Sequence, residues 1–253
     1  MSDILEISRS GRVLTLRLNR PEKRNALSAE LCRELVRAME SAGPDPGVGA
    51  ILLAAAGPAF CAGMDIREVH PGNADEINLA HEQLFTIGAR IVKPIVAAVS
   101  GAALGGGTGL VANCHIAVSS DQATFGLTEI HLGLWPFLVF RAVTAAIGEH
   151  RALEMSLTGR TFPAGEAREM GLVHEVVQDA EVRARAIAES IAASSPTAVR
   201  AGMAFVQQVR GLGWQQAGQI ATRIRNECFQ SSDFREGILA FYEKRKPEWP
   251  SLK

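Results

Sequence analysis

The chain has 253 residues, 47% hydrophobic and 21% charged, with a formal net charge of -1. That length suits one large domain or a main domain with an appendage, and the composition is too apolar for a disordered chain. The near-zero charge argues against nucleic acid as the principal partner.

The start, "MSDILEISRS", lacks a basic run ahead of an apolar core and does not read as a signal peptide. "PIVAAVSGAALGGGTGLVANC" comes nearest to a membrane span, but glycines and a serine interrupt it. A cytoplasmic protein with no membrane partner is the expectation. Cys32, Cys61, Cys114 and Cys228 are far apart and show no metal-ligand spacing, so they read as free thiols and no metal site is expected.

In chain order, "ILEISRSGRVLTLRLN" predicts two alternating strands around Ser10–Gly11, a hairpin. Pro21 ends the second strand, and Ser28 stands where a helix cap belongs. Leu31, Leu35, Val36 and Met39 then recur at helical spacing. "GAILLAAAG" is a short, almost wholly apolar run, which fits a strand buried on both faces. "PAFCAGMDI" reads as a turn, "DEINLAHEQLFTIGARIV" as a helix, and "KPIVAAVSG" as a second buried strand. A glycine cluster follows, then a short helix in "GLVANC" and a strand in "HIAVSS". The recurring strand, loop, helix order indicates an α/β fold.

Beyond "ATFGLTEIHLGLWP" the segments "FLVFRAVTAAIG", "EHRALEMSLTG" and "PAGEAREMG" read as helical, and "LVHEVV" as a last strand. From Asp179 onward only helical signal remains. Pro196 marks the predicted boundary between a core, residues 1–195, and a helical C-terminal module, residues 196–253. The basic, proline-broken end "KRKPEWPSLK" reads as solvated chain.

"GAALGGGTGLVANC" puts five glycines between Gly101 and Gly109 with no charge nearby. It does not present a lysine and a hydroxyl after its glycines in the order a P-loop needs, and Leu110 breaks the dinucleotide spacing begun by Gly105 and Gly107. Such glycines let a ligand approach main-chain N–H groups at a helix start, or simply allow close packing. "FCAGMD" is a second turn of the same character. Two N–H groups converging on one carbonyl oxygen would make an oxyanion hole.

An acid or base is then needed. Glu129 lies among Leu127, Ile130 and Leu132, where burial would raise its pKa and suit it as a general base. A carboxylate in an interface salt bridge is the alternative. His131, two residues on, would share the face of Glu129 on an extended segment, or serve structurally. His81 and Glu82 could reach a pocket from their helix, or lie on a solvated face. No G-x-S-x-G elbow occurs, and Cys61 has no neighbour to activate it.

"FCAGMDI", "KPIVAAVSGAALGGGTGL", "ATFGLTEIHLGL" and "GRTFPAGEAREMGLVHEVV" together resemble the enoyl-CoA hydratase/isomerase, or crotonase, family over nearly the whole chain, Ile4 to about Phe241. The resemblance implies a spiral of ββα units with a helical C-terminal region that packs homotrimers, which can pair into hexamers. It implies acyl-CoA thioester substrates, with coenzyme A part of the substrate and no separate cofactor. It places the oxyanion N–H groups at Met64 and Gly106. CoA would run past Ala62, Asp65 and Ile66, with Arg67 near its phosphates.

Hydratases of this family use two glutamates. The first position matches Gly109 here and the second matches Glu129. With one carboxylate lost, the resemblance favours Δ3–Δ2 double-bond isomerisation through a single glutamate. The alternatives are a hydratase or other lyase in which His131, His81 or Glu82 replaces the lost group, and an acyl-CoA-binding protein without turnover. "GLWPFLVF" departs from the family's glycine-rich stretch. Trp135 and Phe137 would narrow the acyl pocket or pack on the following helix.

Overall fold

The computed structural model describes residues 4–70 and 72–252. The outermost residues of the two predicted modules, 1–3 and 253, lie outside the described residues. β1 (Leu5–Ser10) and β2 (Val13–Leu18) form the antiparallel hairpin, with Ser10 opposite Val13. α1 (Ala29–Ala42) follows, its first turn capped by the Ser28 hydroxyl, which accepts the Leu31 N–H at 3.2 Å. Its buried stripe is Leu31, Leu35, Val36 and Met39, the residues at helical spacing.

The main sheet has six strands in the order β1-β2-β3-β5-β7-β10, where β3 is Ala50–Ala55, β5 Ile95–Val99, β7 Ile116–Ser120 and β10 Glu175–Val177. From β2 onward all its pairs are parallel. β3 and β5 are apolar throughout because both of their faces are covered. Ala50, Leu52, Ala54, Val96 and Ala98 face Ala180, Ala184, Ala188 and Ala192 of α7 (Ala180–Ala192). Ile51, Leu53, Ile95, Ala97 and Val99 face the larger core built on α1.

A second sheet, order β4-β6-β8-β9, consists of three-residue strands. They are β4 (Ala59–Cys61), β6 (Ala102–Leu104), β8 (Thr124–Gly126) and β9 (Thr161–Pro163). The chain therefore repeats one move. A long strand in the main sheet leads to a short strand in the second, then to a helix. β3 and β4 lead to α2 (Ala74–Thr86), β5 and β6 to α3 (Gly106–Ala112), and β7 and β8 to α4 (Phe137–Ile147). This is the ββα spiral. β4, β6 and β8 are neighbouring parallel strands, so the segments that leave them emerge at one edge of the fold.

α5 (Glu149–Thr158) and α6 (Ala164–Met170) complete the core. α8 (Pro196–Val209), α9 (Trp214–Phe229) and α10 (Ser232–Glu243) form the C-terminal helical region. Its tether is Asp233, buried, which accepts from the Ser195 and Ser251 hydroxyls at 2.6 and 2.7 Å. Among the described residues no helix is long and apolar enough to cross a membrane, and no cluster of histidine, cysteine or carboxylate side chains could hold a metal.

Candidate active site

Three segments leave the adjacent strands β4, β6 and β8 at the same end. Met64 lies three residues past β4, Gly106 two past β6 and Glu129 three past β8. All three line one cavity of about 710 Å3, a volume suited to a sizeable small-molecule ligand. Ligand sites commonly gather at the carboxyl ends of parallel strands.

The first turn is clamped before it reaches Met64. Leu27 N–H donates to Gly63 O at 2.8 Å, and Asp65 N–H donates to Leu27 O at 3.0 Å. Leu27 and Met64 thus form a parallel bridge that leaves the Met64 N–H outside the ladder. Gly63 takes φ +92°, a conformation costly for any residue with a Cβ. A Cβ there would also come within 3.2 Å of Gly106 N, which measures how close the two turns lie.

The second turn depends on Gly105, at φ +52° and ψ -119°. Its N–H donates to Gly126 O at 2.8 Å. The buried Thr108 hydroxyl lies 2.6 Å from Ala103 O and accepts the Gly126 N–H at 3.1 Å. Gly106 then opens α3. Neither Met64 N–H nor Gly106 N–H donates to a carbonyl among the described residues. Both remain available as donors to a ligand oxygen, the arrangement an oxyanion hole requires.

Glu129 closes the site. A Cβ on Gly105 would lie 3.0 Å from Glu129 Oε1, so the carboxylate packs against the glycine pair that carries the Gly106 N–H. Glu129 Oε2 is buried with no hydrogen-bond partner. Burial pushes the Glu129 pKa above its ordinary value, opposed only by its own backbone N–H. An unpaired, partly desolvated carboxylate of this kind holds or takes a proton readily.

Position 109, which the sequence resemblance matches to a second glutamate, is sealed. A Cβ on Gly109 would overlap Val139 Cβ and Cγ1 of α4. Two other carboxylates line the cavity. Glu22 is exposed, and Asp65 is buried in an ion pair with Arg20 at 2.9 Å. Arg20 also donates to Ala26 O at 2.6 Å.

The auxiliary candidates separate. His81 lines the cavity, but it is buried and its Nε2–H donates to Leu27 O at 3.3 Å. Burial lowers its pKa, which disfavours the charged ring, and the ring braces the carbonyl that holds the Met64 turn. Glu82 is exposed and outside the lining, because it sits on the solvent side of α2. His131 is also outside the lining, and the expectation that it shares a face with Glu129 is corrected. Glu129–Leu132 is a 3-10 turn, not an extended segment. At three residues per turn, a residue two positions on points elsewhere. The His131 ring instead hydrogen-bonds Gly159 O at 3.1 Å.

Ala62, Asp65, Ile66 and Arg67 border the cavity, as do Trp135 and Phe137. Trp135 also packs on Phe140, ring centroids 5.8 Å apart, whereas Phe137 is 72% exposed at the rim. Burial pushes the Cys61 thiol up to about 12, which leaves it inert near neutral pH.

Sequence reasoning missed Asn25. It is fully buried at φ +54°, and its amide donates to Ala56 O and Ala59 O at 2.8 Å each while accepting the Arg20 N–H. Asparagine's tolerance of left-handed backbone after a proline turn was the available signal.

A family model described as enoyl-CoA hydratase/isomerase matches residues 8–252. The chain belongs to the enoyl-CoA hydratase/isomerase family. It is 36% identical to a putative enoyl-CoA hydratase of Thermus thermophilus, over 94% of this chain and 98% of that protein. It is 35% identical to enoyl-CoA hydratase EchA19 of Mycobacterium tuberculosis, over 96% and 95%. A crystal structure of an enoyl-CoA hydratase from Mycobacterium smegmatis superposes with a TM-score of 0.93 at 32% identity, covering 98% of this chain and 99% of that one. The crotonase fold and the family's acyl-CoA chemistry follow from this membership.

Proposed function

We propose that this crotonase isomerises enoyl-CoA thioesters, moving a Δ3 double bond to Δ2 with Glu129 as its single acid and base. The observation that carries the reading is the sealed Gly109. Of the carboxylates that line the cavity, Glu129 alone is partly buried and unpaired, and Val139 fills the space a second would need.

In this reading the thioester oxygen sits between the Met64 and Gly106 N–H groups. Glu129 removes a C2 proton. The C–H electron pair forms C1=C2, and the thioester oxygen takes the displaced π pair as a dienolate held by the two amides. When the carbonyl re-forms, the pair moves into C2=C3, and the C3=C4 pair takes the proton from Glu129 at C4. Atoms and charge balance with one carboxyl group and no external reductant or oxidant, coenzyme A being part of the substrate. Ala62, Ile66 and Arg67 would flank the CoA, and Trp135 and Phe137 the acyl chain, with Asp65 acting through Arg20.

The relatives' names favour a second reading, hydration of a 2-enoyl-CoA. Water addition would need another proton-handling group, and His81 is the cavity residue best able to supply it. Incubation with 3-enoyl- and 2-enoyl-CoA panels, followed by mass spectrometry, separates the two. Migration exceeding water addition is expected, and hydration without migration would overturn the isomerase reading. An acyl-CoA-binding role without turnover would show neither, and no exchange of C2 protons into heavy water.

Assembly into the homotrimers or hexamers of the family belongs to the same proposal. Its support is the exposed apolar surface of α9 and α10, including Phe229, Ile238, Phe241 and Tyr242.

A further inference from the structure

A second cavity of about 520 Å3 shares no lining residue with the catalytic one. It lies where the β1–β2 turn, the 43–49 loop, the approach to β5 and the junction of α7 and α8 meet. Its charged lining residues are Arg12, Lys93 and Arg200, and no carboxylate lines it. Ser194, Thr197 and Ser251 also line it, but their hydroxyls are engaged: Ser194 donates to Ser190 O at 3.1 Å, Ser251 donates to the buried Asp233 at 2.7 Å, and Thr197 also hydrogen-bonds Asp233.

The cations are positioned rather than neutralised. Arg12 donates to Ala192 O and to Pro46 O, and its Nε is buried with no acceptor. Lys93 Nζ donates to Asp45 O at 2.9 Å and Val48 O at 2.7 Å. These are carbonyl contacts, which fix geometry without cancelling charge. Asp45 is the carboxylate that acts on Lys93, but it is shared. Its Oδ1 accepts the Gly47 N–H at 2.7 Å and its Oδ2 faces Arg9 at 3.5 Å. Arg200 is exposed and makes no hydrogen bond or ion pair among the described residues. Burial, then the charge of Arg12, lowers the Lys93 pKa, and Arg200 adds to the effect. Three like charges held around one hollow repel one another until an anion enters.

We infer that this cavity binds the phosphate group of a small phosphorylated molecule through Arg12, Lys93 and Arg200, outside the acyl-CoA site. Phosphate suits the set, since guanidinium forks and a lysine ammonium recognise its oxygens by charge-assisted hydrogen bonds. The volume leaves room for a compact organic group beyond the phosphate.

The test is calorimetric titration of the whole protein with inorganic phosphate and with pyrophosphate at low ionic strength, where such contacts are strongest. Saturable binding is expected, tighter for pyrophosphate. Arg200→Ala should weaken it about tenfold, the worth of one charge-assisted contact. That variant should fold, because Arg200 holds nothing internally and alanine favours helix. Arg200→Lys should recover part of the loss. Free coenzyme A at saturation should leave phosphate binding unchanged. The inference fails if no saturation appears by about 10 mM phosphate, if Arg200→Ala binds like the parent, if chloride at matched ionic strength gives the same signal, or if coenzyme A displaces the phosphate.

Discussion

α7 and α8 flank Ser195 and are almost equal in length, 13 and 14 residues, yet they solve opposite problems. α7 buries Ala180, Ala184, Ala188 and Ala192, one stripe at intervals of four, against the main sheet. α8 buries no residue, and neither does α9. Small side chains let α7 approach the strands closely, so the chain itself finishes that face. The helices after Pro196 carry large apolar residues that the same chain does not cover. The Met64 and Gly106 turns and Glu129 are built wholly on the self-sufficient part. Damage to the site should follow core residues, and damage to the C-terminal helices should follow whatever covers them.

The largest expected effect is on catalysis. Glu129→Gln keeps size and shape but cannot hold or release a proton. It should lower kcat/KM for double-bond migration about a thousandfold, with an unchanged circular dichroism spectrum. Activity near the parent's would break the assignment of the core as the seat of chemistry. Next comes Asn25→Ala, measured by urea unfolding. It strands the Ala56 and Ala59 carbonyls and leaves alanine at a positive φ. A loss of about 3 kcal/mol is expected, with activity falling too, because the Met64 turn hangs on the same segment.

The division between these regions was partly legible in the sequence. The α1 stripe, the two-sided strands β3 and β5, the helical tail after Pro196 and the glycine-bearing turns all have periods or compositions that survive reading one residue at a time. The second sheet does not. β4, β6, β8 and β9 are three residues long, too short for any alternation to register, so "PAFCAGMDI" read as a turn alone. Their pairing is nonetheless what brings Met64, Gly106 and Glu129 to one edge. His131 was misplaced because a 3-10 turn and an extended segment share short, apolar sequences. The closure of Gly109 by Val139 joins residues thirty positions apart through α3–α4 packing, which no local pattern encodes.

That closure gives a third, smaller test. Gly109→Glu should cost about 2 kcal/mol by overpacking α4 and should gain no hydration. Adding Val139→Ala opens the space, and recovery of stability in the double variant would show that Val139 is the obstacle. If Gly109→Glu alone is tolerated without loss, α4 is looser than its contacts imply.

A smaller effect still comes from Glu129 and pH. Its folded-state pKa lies above the ordinary value of 4.5 because the ionised form is desolvated. The stabilisation from the neutral form is therefore complete below the unfolded-state pKa and lost as pH rises through the folded value. Glu129→Gln should remove that part of the pH dependence and raise Tm near neutrality. Activity runs the other way, rising with pH as the base form appears, so kcat/KM and Tm should move in opposite directions over one pH window.

The smallest effect falls on Trp214, 96% exposed at the start of α9. If nothing covers that helix, Trp214→Ala removes no packing and should shift stability by less than about 0.5 kcal/mol at every protein concentration. If a second copy covers it, the same substitution removes interface area. Its cost then appears only where the assembly forms, so the Tm difference from the parent grows with protein concentration. A dilution series read by calorimetry distinguishes the two. A fixed, large loss at all concentrations would fit neither, and would mean that the C-terminal helices are held by their own chain more firmly than the contrast with α7 allows.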